Sequence, residues 1–332
     1  MRDYLRTHEG EARLFIVLMA VILFLAIASP TFFTAGNFAS LMNNNAVNVI
    51  WAVGLVVVLI TGGIDISFAV AASVVQYLTA LALHAIGGGN WMFGFLFASA
   101  FGIGIGCINA ALIAGFRIIS IVVTIATFNA LFGLLMFMTS GKSIYDLPDW
   151  WTNQIAVAPL GAGGALTLPV AGMVAAMAAT WFLISRTTTG RQLYAFGDNP
   201  EGARRAGVAT VKMQFIAYGW MGLMAGLGGL MQVNIEQEVV PNALIGRELD
   251  VLAAVVLGGA RLGGGRGSVF GCFLGVMLVA VVQNGLNLLG VSPYAFKMVI
   301  GATILAAISL SNVDLTVLLS GRSRSRGHVG YH

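Results

Sequence analysis

Charged side chains are scarce: Lys and Arg number 17 and Asp and Glu 13, together 9% of 332 residues. A water-soluble fold is thereby excluded, because so little polar surface could not cover a chain with 58% hydrophobic residues and a mean hydropathy of +0.90. No polar stretch is long enough for a separate soluble domain, so residues 1–332 read as one membrane domain. Histidines are few and scattered (His8, His84, His328, His332), and no His-Glu-x-x-His or Ser/His/Asp grouping occurs. That argues against a metal centre or a nucleophilic active site, and no cofactor is expected. The two cysteines, Cys107 and Cys272, lie in apolar runs without metal-ligand spacing and read as packing residues. Gly141-Lys142-Ser143 resembles the end of a phosphate loop, but Met136 stands where that loop needs glycine. If ATP drives this protein, another chain hydrolyses it.

What the chain has in abundance is apolar runs. At roughly 20 residues per spanning helix, ten spans take about 200 residues and leave about 130 for loops. Apolar windows place helices near 14–28, 45–61, 67–86, 92–115, 119–138, 167–185, 212–232, 249–260, 268–289 and 294–311. The fold expected is therefore all-α and polytopic, with about ten transmembrane helices. The eighth is too short to cross alone and is expected to be extended or re-entrant. The 43 glycines concentrate in apolar runs such as 101–107 and 222–229, where small residues let helices approach closely. Arginines ahead of the Leu14–Ala28 segment and the Ala26-Ile27-Ala28 triplet resemble a signal peptide, but Asp3, Glu9 and Glu11 favour an uncleaved first helix. Asn109 to Gly115 and Asn284 to Gly290 each close a span five helices apart, which suggests a 5+5 inverted repeat or two unrelated glycine-terminated helices.

Basic residues set the orientation, since short Lys- and Arg-rich loops stay cytoplasmic. With both termini inside, the inner loops hold Arg2, Arg6, Arg13, Arg117, Arg186, Arg191, Arg204, Arg205, Lys212, Arg261, Arg266, Arg322, Arg324 and Arg326, leaving Lys142, Arg247 and Lys297 outside. The basic pI of 9.3 is thus a topology signal and not a sign of nucleic-acid binding.

Two polar devices interrupt the apolar pattern. In Thr61-Gly-Gly-Ile-Asp65-Ile-Ser67 the glycines permit an unwound joint, and Asp65 is either a cap for the next helix, alone or through Ser67, or a pathway residue. The second lies in a cytoplasmic loop of about residues 186–211 and runs from Gly197 to Val208. Asn199 suits an N-cap, Pro200 the first helical position, Glu201 the positive end, and Gly207 a left-handed stop after Ala203, Arg204 and Arg205. A helix of about seven residues is roughly 10 Å long and marginal alone. It packs on its own bundle or seats in a partner's groove.

Further polar side chains sit inside the spans: Asn43, Asn44, Asn45, Asn48, Gln76, Asn109, Asn129, Gln283, Asn284 and Asn287. Amides suit a neutral, hydroxyl-rich solute, but they also hydrogen-bond between helices. Asn44, Asn48, Asp65, Gln76, Asn109, Asn129, Asn284 and Asn287 are the pathway candidates. Trp150 and Trp151 read as interface anchors in preference to a sugar-stacking site. The segments Glu236-Gln-Glu238-Val-Val-Pro241 and Arg247-Glu-Leu-Asp250 read as a solvent-facing outer loop, able to meet a partner through charge or merely solvated.

Leu59–Ser67, Gly197–Val208, Val256–Ser268 and Asn284–Gly290 together resemble the permease subunit of ribose/xylose/galactose-type ATP-binding-cassette sugar importers. The resemblance covers nearly the whole chain. It implies a ten-helix permease in a bacterial inner membrane, working as a homodimer or heterodimer within lipid. A periplasmic sugar-binding protein would sit outside, and an ATPase with two nucleotide-binding halves inside. By the same resemblance, 197–208 is the element that meets the ATPase, and hydrolysis belongs to that separate subunit. The motif departs from the family at Ser67-Phe68-Ala69, where Ser-Val-Gly is usual.

Two rivals differ in class: an ion-coupled secondary transporter of a small polar solute, which would want more buried ionisable groups than Asp65, and a scaffold or intramembrane enzyme, which lacks a catalytic constellation. Orientation is testable directly. In a background lacking Cys107 and Cys272, R204C in intact cells should resist an impermeant thiol reagent until the membrane is opened. Labelling from outside overturns the topology.

Overall fold

The computed structural model describes residues 9–160 and 164–312. Arg2, Arg6, Arg322, Arg324 and Arg326 lie outside the described residues. Thirteen helices and one small hairpin appear in this order: α1 (Glu9–Ala28), α2 (Ala35–Ile60), α3 (Phe68–Ala85), α4 (Trp91–Phe116), α5 (Ser120–Thr139), α6 (Asp149–Thr152), β1 (Ala156–Pro159), β2 (Ala165–Thr167), α7 (Leu168–Arg186), α8 (Thr188–Asp198), α9 (Pro200–Arg205), α10 (Thr210–Glu236), α11 (Arg247–Leu257), α12 (Val269–Leu288) and α13 (Pro293–Asn312). By length and composition, α1, α2, α3, α4, α5, α7, α10 and α12 can each cross a membrane. The 11-residue α11 spans about 16 Å, half of a 30 Å hydrocarbon layer. The protein is an all-α polytopic membrane protein, with the antiparallel β1–β2 pair as a local addition.

Helix α2 forms the centre. From Ala46 to Ile60 every residue but Asn48 is buried, as expected of a helix that is apolar on all sides. The other deeply enclosed helix, α10, packs antiparallel on α4 through glycine. A Cβ on Gly102 would fall inside the Gly222 carbonyl, one on Gly222 inside the Gly102 carbonyl, one on Gly106 against Tyr218 and one on Gly226 against Ala98. The two backbones therefore touch with no side chain between them, the close approach that small residues provide in lipid. By contrast α1 and α5 expose their apolar faces, among them Phe15, Leu23, Phe24, Leu134 and Phe137.

The joints gather at two ends. Ile64 N–H donates to Ser120 Oγ at 3.0 Å, Gly265 N–H donates to the Ile60 carbonyl at 2.9 Å, and Tyr194 Oη donates to the Gly267 carbonyl at 2.7 Å. Segments 60–67, 117–120, 187–209 and 258–268 thus share one end. It carries Arg117, Arg186, Arg191, Arg204, Arg205, Arg261 and Arg266 and is called the basic end below. At the opposite end Trp150 Nε1 donates to the Gly88 carbonyl at 3.0 Å, Asn234 Nδ2 to the Trp151 carbonyl at 2.6 Å, and Ile144 pairs with Val239.

Several sequence expectations are adjusted. Helix α2 starts ten residues earlier than the window at 45, because Thr34 caps it by accepting the Asn37 N–H and its asparagines lower hydropathy without breaking the helix. The loop before Asn199 contains a full amphipathic helix, α8. Trp151 is fully buried with Nε1 donating to the Leu230 carbonyl at 2.8 Å, and its ring stacks on Trp150 at 6.0 Å. It plugs the bundle end and is not a lipid-facing anchor.

Glycine packing predicts a mutational contrast. Gly222→Val should cost about 1–3 kcal/mol through overpacking, seen as a lower melting temperature in detergent. Gly104→Val on α4, with open space around its Cβ position, should shift it far less. Equal shifts would refute backbone contact as the cause.

Candidate functional site

A cleft of about 420 Å³ opens between α2, α11 and α12, with Phe296 of α13 at its edge. Helix α2 contributes Asn44, Asn45 and Asn48, of which 44 and 48 share a face by their spacing of four. From α12 come Gln283, Asn284 and Asn287 at spacings of three and four, and from α11 Arg247 and Asp250. The apolar part of the lining includes Val251, Ala254, Val276 and Ala280. The wall is thus mostly neutral amide and aliphatic, with one charge of each sign.

The amides divide by what they already hold. Asn284 and Asn37 exchange reciprocal amide hydrogen bonds at 2.8 and 3.0 Å, clamping α12 to α2. Asn45 donates to the Leu41 carbonyl and accepts from Asn48 Nδ2 at 3.3 Å. Asn44, Gln283 and Asn287 make no side-chain hydrogen bond among the described residues and present free donors and acceptors to the cleft. Arg247 donates to Gln232 Oε1 at 3.0 Å, and Gln232 in turn donates to Glu236 at 2.9 Å. The segment read as a solvent-facing loop is therefore partly built in: Arg247 and Asp250 line the cleft, and Glu248 is buried with its carboxylate accepting the Gly246 N–H. Charge alone marked these residues, and their inward position left no trace in the sequence.

The remaining pathway candidates lie elsewhere. Asp65 is 2% exposed and accepts from Ser67 N–H at 2.8 Å and Ser67 Oγ at 2.7 Å, a turn that opens α3. Asn109 donates to the same Ser67 hydroxyl at 2.9 Å, so Asp65, Ser67 and Asn109 form one buried polar node away from the cleft, in which Asn109 Oδ1 is left without a partner among the described residues. Gln76 donates to the Gly229 carbonyl at 3.1 Å and borders a smaller cavity of about 190 Å³ with Glu236, Glu238 and Arg247. Asn129 is exposed near the middle of α5, bonded only to its own Ile125 carbonyl. Asn43 bonds to β2, accepting from Thr167 N–H and Oγ1 and donating to the Ala165 carbonyl.

At the basic end, α9 is an exposed six-residue helix. Asn199 Oδ1 accepts the Gly202 N–H at 2.8 Å, Pro200 takes the first position, and Gly207 adopts φ +84°. Glu201 accepts two hydrogen bonds from Arg204, at 2.9 and 3.0 Å, and one from Arg205 at 3.1 Å. Those bonds, Arg204 first, hold the Glu201 carboxyl below the usual glutamate range. Preceding it, α8 is capped by Thr187 Oγ1 and docks on the bundle through buried Leu193 and Phe196. Burial pushes the Tyr194 phenol up to about 12, and its hydroxyl donates to the Gly267 carbonyl.

A membrane-spanning helical bundle holding an amide-lined cleft, with a polar helix pair projecting from one end, defines a polytopic permease. The chain belongs to the branched-chain amino acid transport system / permease component family, which matches residues 37–308. It is 34% identical over 317 residues to the ribose import permease protein of Escherichia coli (strain K12), covering 91% of this chain and 94% of that one. Identity to the ribose import permease protein of Bacillus subtilis (strain 168) is 32% over 298 residues, 89% and 91% of the two chains. The autoinducer 2 import system permease protein of Photorhabdus luminescens is 31% identical over 310 residues, 91% and 89% of the two chains. No solved structure matches. The four sequence motifs thus identified their family correctly, and the chain is a multi-pass membrane permease component of an import system.

The clamp across the cleft is testable by a double-mutant cycle. Asn37→Ala and Asn284→Ala should each lower thermal stability, and the double variant should lose less than the sum, by a coupling of about 0.5–2 kcal/mol. Strict additivity would show that the pair does not join α2 to α12.

Proposed function

We propose that this chain is the translocating subunit of an ATP-driven importer for a monosaccharide or similar polyol, working by alternating access. The carrying observation is the cleft. Its volume suits a small solute, and its free groups at Asn44, Gln283 and Asn287 offer neutral donors and acceptors matched to hydroxyls. The named relatives include import permeases for ribose, which supports the solute class.

In this reading the basic end faces the cytoplasm, both termini lie there, and a periplasmic binding protein delivers solute at the opposite end. Helix α9 seats in an ATPase subunit, with Gly197, Asn199, Pro200, Glu201, Ala203, Arg204, Arg205 and Gly207 forming the coupling element. Ala203 is buried and anchors α9 inward, while Arg204 and Arg205 point outward, tied to Glu201. This chain itself performs no hydrolysis. A second permease copy completes the unit: an amide facing hydrocarbon at mid-helix is unfavourable, and a partner covering α5 would give Asn129 a counterpart. Asp65 closes the turn that leads into α3.

Arg204→Glu combined with Arg205→Glu should abolish both co-purification of the ATPase and uptake of labelled monosaccharides, with the permease still in the membrane. Survival of both activities removes α9 as the coupling element. Uptake that a protonophore stops while ATP stays high would favour an ion-coupled carrier instead.

A further inference from the structure

At the basic end three backbone segments meet with no side chain between them. Gly265 N–H donates to the Ile60 carbonyl at 2.9 Å. A Cβ on Gly197 would collide with that same carbonyl and stand 2.8 Å from Gly265 N. Gly264, at φ +87°, approaches so closely that its Cβ would lie 2.5 Å from the Gly197 carbonyl oxygen and 2.9 Å from Gly62 N. Tyr194, one turn before Gly197 on α8, reinforces the contact by donating to the Gly267 carbonyl at 2.7 Å.

Each segment continues into a wall of the cleft or into α9. Ile60 ends α2, whose other half carries Asn44 and Asn48. Residues 258–268 join α11, which carries Asp250, to α12, which carries Gln283 and Asn287. The α11 and α12 ends that flank this loop are themselves locked backbone to backbone, since a Cβ on Gly258 would strike the Gly271 carbonyl, and one on Gly271 the Gly258 carbonyl. Gly197 is followed at once by Asp198, Asn199 and α9. Side-chain contacts absorb small displacements through rotamer changes, whereas closely packed backbones move together or separate.

We propose that this glycine junction transmits displacement of α9 to all three walls of the cleft, with Gly197, Gly264 and Gly265 as positioning residues acting through backbone contact. The proposal rests on α9 being the ATPase-facing element. Solute need never touch the junction, and the ATPase need never touch Gly264 or Gly265.

The test uses the permease purified with its ATPase in proteoliposomes, in a background lacking Cys107 and Cys272, with Val279→Cys, on the cleft wall beside Ala280, as the reporter. N-ethylmaleimide labelling rates are compared without nucleotide and with ATP plus vanadate. The parent complex should change its rate between the two states by about tenfold, and Gly265→Ala, at a junction residue outside the coupling element, should cut that response to about threefold or less, with the ATPase still bound and hydrolysing. Tyr194→Phe removes one hydrogen bond and adds no atoms, so it decides the matter if the glycine variant misfolds; its response should fall about two- to threefold. Parent-like responses in the variants, with ATPase bound, overturn the junction alone. A parent response that ignores nucleotide overturns it too, and a parent that never retains an ATPase overturns the reading of α9 together with the proposal.

Discussion

Lipid supplies neither hydrogen bonds nor a hydrophobic push between helices, so this bundle depends on how closely one backbone can lie against another. The α4–α10 pair shows the rule, with Ala98, Gly102 and Gly106 facing Gly226, Gly222 and Tyr218. Once α10 is fixed there, Trp51 of α2 packs its indole against Gly228 and Trp151 closes the far end over Leu230. The central position of α2 follows from that stack.

Within α2 the chain divides labour along one helix. The first half is rich in amides and faces the cleft and the hairpin; the second is wholly apolar and buried to its last residue. The helix thus has a polar working end and an enclosed apolar shaft. The paired amides of Asn37 and Asn284 then hold the working end to α12, so the cleft walls are joined at both extremities.

Much of this was legible in the sequence because the strongest signals are collective. Long apolar runs and the sorting of arginines required no single residue to be read correctly, and α9 was recognisable because Asn199, Pro200 and Gly207 each have one dominant backbone preference. Where the reading fell short, a lone residue's surroundings decided. Asn43, Asn44 and Asn45 looked like a boundary in hydropathy, yet helical hydrogen bonding runs through them. Leu193 and Phe196 form too short an apolar face to reveal α8 within a polar loop. Nothing in composition separates Trp151, sealed inside, from a tryptophan at the lipid surface, or Arg247 lining a cleft from an arginine in water. Among the pathway candidates, Asn44, Asn48, Asn284 and Asn287 converge, while Gln76, Asn109 and Asn129 look identical in sequence and sit apart.

The brevity of α11 has its own consequence. Where a full helix would satisfy its peptide groups internally, the chain continues as the irregular Gly258–Gly267 stretch, whose backbone bonds partly within itself and partly to neighbouring segments. Ile60 and Tyr194 supply two of the outside partners. Because this corner belongs to the basic end, where Arg261 and Arg266 are exposed, loosening these neighbours would hand the Gly265 N–H and the Gly267 carbonyl to water, so denaturant should open this corner of the molecule before the glycine-zipped interior.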